Sequence, residues 1–284
     1  AANQLQYIPN SFARGLKTSQ SKLLGVFLPT MDNPYYPMLM QYIEKYTARL
    51  GYSVILCCTY RNPEREKAYL DLCEEKHMDG VIYLFTPNWM KRVVQLSHTI
   101  PVVLLSEKSD DIPLNTISLN GFRCGYLVAK YLLDLGHRDV AFITPPLTRR
   151  QWQRSRRVDG FVKEYEKEGL AGHVLIKAAD ESVDRTLPKM DSEYSMGYQL
   201  TMELLKEDRN FTAIAGQNDM MALGAIDALE ESRIRVPKDV SVIGCDDTFY
   251  SGIRRLSLTT IDHFVALKGR DACDIIIRKI MMND

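Results

Sequence analysis

The sequence predicts an α/β protein organised as two successive sets of parallel β-α units. Three observations carry this. Short apolar runs rich in β-branched residues alternate with longer stretches of helical period almost from end to end. Glycines and Asx-type turns, such as Gly51, Asp79-Gly80 and Gly136, sit where helix should give way to strand. The units are also too many for one sheet of ordinary width.

Taken in order, a first strand is expected over 23–28. The helix after it has Leu39, Ile43, Tyr46 and Leu50 at steps of four, three and four, with Gly51 closing it. A strand over 53–57 follows. Asn62-Pro63 then offers an N-cap and a first-turn proline to a helix ending near 79–80. Strands over 81–85 and 102–105 and a helix over 122–135 complete the first set. The second set should run through strands 140–144, 174–177, 212–216 and 240–244, with helices over 155–168, 193–207 and 220–232 between them.

Composition narrows the function classes. In 284 residues, 36 basic side chains balance 36 acidic ones, so no global field favours nucleic acid or membrane, and any such contact needs local charge. No apolar run approaches the ~18 residues of a spanning helix. The start, Ala1-Ala2-Asn3-Gln4, also lacks the pattern of a secretory leader, so a cytoplasmic protein with no membrane partner is expected. The six cysteines show no metal-ligand spacing and read as buried, reduced thiols. P-loop, GxGxxG, GxSxG and HExxH patterns are missing, and the five histidines are scattered. The expectation is therefore a non-enzyme without metal or cofactor. His137, after Gly136, reads as a chain-turning residue.

What remains suits recognition of a small polar molecule. Asn33-Pro34-Tyr35-Tyr36 follows the first strand at the carboxyl end, where open parallel sheets hold ligands. Tyr35 and Tyr36 offer an apolar face edged with hydroxyls, or simply pack at a helix start. Gln217-Asn218-Asp219 and Asp246-Asp247 also follow strands, as ligand groups or as helix caps, and Arg157 supplies a fork of donors or pairs with an acid such as Asp159 or Glu164. Two local basic stretches stand out: Arg14, Lys17 and Lys22 within residues 1–22, and five arginines within 149–157.

Across nearly its whole length the sequence resembles the LacI/GalR family of bacterial transcription regulators. The carrying segments fall in family order: Leu5-Gln6-Tyr7-Ile8-Pro9-Asn10 with Ala13-Arg14-Gly15-Leu16, then Leu24-Gly25-Val26, Gly136-His137-Arg138, and Arg157-Val158-Asp159-Gly160-Phe161. Asn218-Asp219 with Met221-Ala222-Leu223-Gly224, Val236-Pro237 with 239–244, and Asp246-Asp247 with Leu258-Thr259-Thr260-Ile261 complete the match.

The resemblance implies a type I periplasmic-binding-protein-like core of two similar Rossmann-like lobes with an effector, a sugar or sugar derivative, held in the cleft. It implies a hinge and linker over 1–22, an N-terminal lobe over 23–136 plus 262–284, and a C-terminal lobe over 137–261. Tyr35, Tyr36, Arg157, Asn218 and Asp246 would bind effector, with Asn120 and His263 as weaker candidates. A homodimer would bind operator DNA through a helix-turn-helix headpiece and through the hinge, where Arg14 and Lys17 meet phosphates and Leu16 wedges into a base step. The segment supplied begins at the end of such a headpiece and is expected to bind DNA poorly alone. Two departures bear on the ligand: Leu119-Asn120 replaces the family's Asp-Asn, and the acidic 178–194 stretch, with Ser192 where many members place an aromatic, is longer than typical. A solute-binding receptor with the same core is the alternative, which the hinge-like residues argue against.

Overall fold

The computed structural model describes residues 20–106, 112–147, 152–180, 192–207 and 210–282. The expected hinge, with Arg14, Leu16 and Lys17, lies outside the described residues, as do Arg149, Arg150 and residues 181–191. By their contacts the residues group into two compact units, one of residues up to Met31, Leu39–Ser118 and Ala266 onward, the other of Asp32–Met38 and Leu119–Val265.

In the first unit β1 (Leu23–Leu28) is followed by α1 (Tyr35–Arg49), whose first four residues group with the second unit, and by β2 (Ser53–Cys58) and α2 (Pro63–Glu75). Then come β3 (Gly80–Tyr83), α3 (Met90–Leu96), β4 (Val102–Ser106) and β5 (Asn115–Ser118), and α8 (Val265–Met282) adds to this unit from Ala266 on. The sheet is parallel with order β2-β1-β3-β4-β5. Strand period decides the layers: Phe27, Val81, Tyr83, Val102 and Leu104 pack with Leu70, Cys73, Val93 and Leu96 of α2 and α3. Gly80 faces Ile276 of α8 so closely that a Cβ there would lie 2.7 Å from its side chain. Asn62 caps α2 as expected, its side chain accepting the Glu64 and Arg65 N–H groups ahead of Pro63. Strand β5 and helix α3 were not anticipated: β5 is a polar edge strand, Asn-Thr-Ile-Ser, only half-buried, so it carries no apolar run to read.

The second unit runs α4 (Gly121–Asp134), β6 (Val140–Thr144), α5 (Trp152–Lys167), a 3-10 turn, β7 (Val174–Ala178), α6 (Ser192–Leu204), β8 (Ala213–Gly216), α7 (Asp219–Glu231) and β9 (Ser241–Ile243). Its sheet is parallel with order β7-β6-β8-β9. Val140, Phe142, Ala213, Ala215 and Ile243 point to the α4–α5 layer, and Ala141, Ile143, Ile214 and Val242 point to the α6–α7 layer. Because β7 and β8 flank β6 on opposite sides, the chain reverses direction of travel between β6 and β8. Outside the carboxyl ends of those two strands lies the crevice typical of ligand sites in such sheets.

Each helical layer of this unit is brought to close approach by a glycine pair. A Cβ at Gly125 would lie 1.8 Å from the carbonyl oxygen of Arg157, and one at Gly160 would lie 2.0 Å from that of Phe122. On the other face, a Cβ at Gly224 would meet the Tyr194 carbonyl oxygen at 2.0 Å and one at Gly197 that of Met221 at 2.2 Å. Backbone cannot yield as a side chain does, so a methyl group must push two helices apart. Gly224→Ala should cost about 2–3 kcal/mol, read as a lower urea midpoint at unchanged m-value. A loss below ~0.5 kcal/mol, the range of neutral surface changes, would refute the close crossing.

Candidate functional site

The site grows from the carboxyl ends of β6, β8 and β9, where the chain turns polar. Thr144 ends β6 with its hydroxyl buried, 3.1 Å from the Pro145 carbonyl oxygen and 3.4 Å from Oε1 of Gln217 just past β8. Asn218 is extended and caps α7, its Oδ1 accepting the Met221 N–H at 3.0 Å. Its Nδ2 donates to Glu193 Oε2 at 2.7 Å, and Asn33 Nδ2 donates to the same oxygen at 2.8 Å. Asn33 Oδ1 in turn accepts the N–H of Tyr35 at 2.9 Å, which fixes the start of α1. Arg154 lies 3.6 Å from Glu193 Oε1.

Asp246 follows β9 and is buried. Burial first, and then the nearby charges of Asp219 and Glu193, push its carboxyl well above the usual range, against the pull of the Arg157 guanidinium and of a hydrogen bond with Asn33. Arg157, from α5, donates to the backbone carbonyl of Gln217 and lies 3.1 Å from Nε2 of His263. Because a guanidinium only donates, that imidazole nitrogen is the acceptor, and the proton sits on Nδ1. His263 Nε2 is 3.6 Å from Asp246 Oδ1 and 3.3 Å from the Cys245 thiol, with the ring of Tyr35 edge-on at 5.8 Å. Burial raises the Tyr35 hydroxyl above its ordinary pKa, and the charge of Asp246 adds to this, so it stays a neutral donor.

Of the sequence-predicted residues, Tyr35, Arg157, Asp246 and His263 thus converge, with Tyr36 beside Tyr35, their rings edge-to-face at 5.3 Å. Asn218 adjoins them through Glu193, but its oxygen is committed to the α7 cap. Asn120 takes a left-handed conformation at the start of α4, and its side chain accepts the Arg123 N–H, so the printed geometry is that of a helix cap. Arg157 does not pair with Asp159, whose described ion pair is with Arg156. His137 turns the chain as expected, its Nδ1 meeting the Thr212 hydroxyl at 2.8 Å. Glu193, Gln217, Cys124 and Cys245 belong to the site and were not singled out from sequence. Glutamate in an acidic stretch and cysteines in apolar runs carry no local signal of it.

Residues 21–284 match the model described as periplasmic binding proteins and sugar binding domain of LacI family. The chain belongs to the LacI family. Within it, the HTH-type transcriptional repressor PurR of Haemophilus influenzae (strain PittEE) is 32% identical over 288 residues, covering 100% of this chain and 81% of that protein. The PurR of Histophilus somni (strain 2336) is 31% identical over 285 residues, 99% of this chain and 81% of its own. Among solved structures, the lac repressor dimer bound to operator and the anti-inducer ONPF superposes with a TM-score of 0.80 at 26% identity, over 97% of this chain and 92% of that one. The LacI family is one of regulators, and this chain is a ligand-responsive transcriptional repressor of it. Among the described residues no helix is long and apolar enough to cross a membrane.

Proposed function

We propose that the strand-end cluster of the second unit is the effector site, and that effector binding there changes the affinity of a homodimer for operator DNA. The effector is a small polar molecule of the sugar or sugar-derivative class. Asp246 accepts its hydroxyls, the Arg157 fork and His263 meet its oxygens, and Tyr35 and Tyr36 give a flat wall. Asn218 and Asn120 shape the rim through the helices they cap. In this reading Arg14, Leu16 and Lys17 contact DNA, and the protein is cytoplasmic, without catalytic activity or cofactor. The single observation that supports it is the burial of a carboxylate, a guanidinium and an imidazole at the sheet's switch point, where the fold gains no stability from holding a raised carboxyl. The lac repressor, described as a dimer bound to operator and an anti-inducer, supports the DNA-linked dimer.

A thermal-shift screen of sugars, sugar phosphates, nucleobases and nucleosides tests this, because a molecule bound only by the folded state raises the melting temperature. Arg157→Lys keeps the charge but loses the two-pronged geometry. It should weaken a hit about tenfold, equivalent to ~1.4 kcal/mol. A hit whose affinity is unchanged in Arg157→Lys and in Asp246→Asn would remove the effector from this cluster.

A further inference from the structure

Behind the effector-facing polar groups lies a second convergence that effector recognition does not use. The donor atoms of Cys124, Cys245 and His263 all lie within 4.8 Å of one another, and all three residues are buried. They come from separate places: α4, the turn after β9 and the segment before α8. Cys245 Sγ is 3.3 Å from His263 Nε2 and is hydrogen-bonded with Cys124. Asp246 supplies a carboxylate oxygen 3.6 Å from the same nitrogen.

We propose that Cys124, Cys245 and His263 form a binding site for a borderline-soft metal ion of the zinc class, with Asp246 within reach as a fourth donor. Two sulfurs, one imidazole nitrogen and one carboxylate oxygen are a donor set that selects zinc over hard cations such as magnesium or calcium. In a tetrahedral site with bonds of ~2.3 Å to sulfur and ~2.0 Å to nitrogen, sulfur and nitrogen stand about 3.5 Å apart. The Cys245–His263 pair is already near that separation, and Cys124 needs to move in by about an ångström or less. The tautomer agrees: with its proton on Nδ1, His263 turns the Nε2 lone pair toward the cluster.

Charge balances as well. Binding converts two thiols to thiolates, M²⁺ + 2 RSH → M(SR)₂ + 2 H⁺, with both protons leaving to solvent. The two thiolates neutralise the ion, and the Asp246 carboxylate is then offset by the Arg157 guanidinium. Arg157 gives up its bond to His263 Nε2 and keeps the one to the Gln217 carbonyl. Because Asp246 and Arg157 are shared with the proposed effector site, metal occupancy would set the charge and position of both effector-facing groups. The metal site itself does not depend on that reading.

Cobalt(II) is the probe, as zinc is spectroscopically silent. Reduced, chelator-treated protein titrated with Co²⁺, with no effector present, should develop a near-ultraviolet sulfur-to-cobalt band and the visible bands of tetrahedral cobalt. The signal should saturate at one equivalent and be bleached by Zn²⁺. Cys124→Ser and Cys245→Ser should each weaken binding by more than about a hundredfold, while Cys273→Ser, a buried thiol of the first unit, leaves it unchanged. Zinc-edge X-ray absorption of the wild-type protein with one equivalent of Zn²⁺ decides the matter independently of whether those variants fold. Two sulfur neighbours at ~2.3 Å support the site. A shell of only nitrogen and oxygen, or a cobalt band that survives in both folded serine variants, overturns it. The titration contains no effector and the effector screen contains no metal, so one can fail while the other stands.

Discussion

Asp246→Asn should weaken the effector by about ten- to a hundredfold and at the same time raise the melting temperature of the ligand-free protein. The first effect follows from chemistry at the site. A carboxylate accepting two hydroxyls makes charge-assisted bonds worth about 1.5–3 kcal/mol each, and an amide offers one acceptor and one donor in their place. The second effect follows from burial. The Asp246 carboxyl is held well above the ordinary range, chiefly by desolvation and then by the charge of Asp219. A group whose pKa is higher in the folded than in the unfolded state destabilises the fold at every pH above that folded value, because ionising it costs more inside than outside. Asparagine has no such cost and still accepts from Asn33. The gap between variant and wild type should therefore be widest at neutral pH and close as pH falls through the raised value. Calorimetric titration with the screened effector reads the first effect, and melting curves across a pH series read the second. A variant less stable than wild type at pH 7 with unchanged effector affinity would reduce Asp246 to a structural residue. Gain of stability with loss of binding is the mark of a group retained for function.

Much of this was legible in the chain, and what was not is physically explicable. Strand alternation and terminal turn residues announced both sheets, because parallel strands buried on two faces must be continuously apolar, as in β6 with Val140 to Thr144 all buried. Arg157 and Asp246 were legible for the opposite reason, since a charged residue straight after such a strand has no reason of packing to be there. Strand β5 stayed hidden because an edge strand needs no apolar side chains. Glu193 stayed hidden because its partners, Asn33 and Asn218, are 160 and 25 residues away. Cys124 and Cys245 read as core thiols, and they are buried. Only the fold places them beside one histidine.

Asp219→Ala is expected to be the most destabilising single change in the second unit, costing about 3 kcal/mol or more, with a loss of effector affinity alongside. Asp219 opens α7 and is fully buried. Its Oδ2 accepts the Thr248 N–H at 2.8 Å and the Thr248 hydroxyl at 3.0 Å, and its Oδ1 accepts the Thr260 hydroxyl. The Thr260 oxygen in turn lies 3.2 Å from the N–H groups of Asp246 and Asp247 and accepts from both. The carboxylate is thus the terminal acceptor of a relay that holds the turn after β9 against the segment leading to His263. Gly244 makes room for it, as a Cβ there would lie 2.4 Å from Oδ1. Alanine strands buried donors at about 1–3 kcal/mol each. Asparagine keeps one acceptor but turns its NH₂ toward donors or toward the already saturated Thr260 oxygen, so Asp219→Asn should fall between alanine and wild type. Loss of the relay frees the two segments that carry Asp246 and His263, and the effector must then pay for ordering them on binding. Urea unfolding of the three proteins gives the ranking, and calorimetry on the folded fraction gives the affinities. If alanine and asparagine are equally mild, within ~0.5 kcal/mol of wild type, the relay holds nothing together. If stability falls while effector affinity stays constant, it holds the fold without positioning the site.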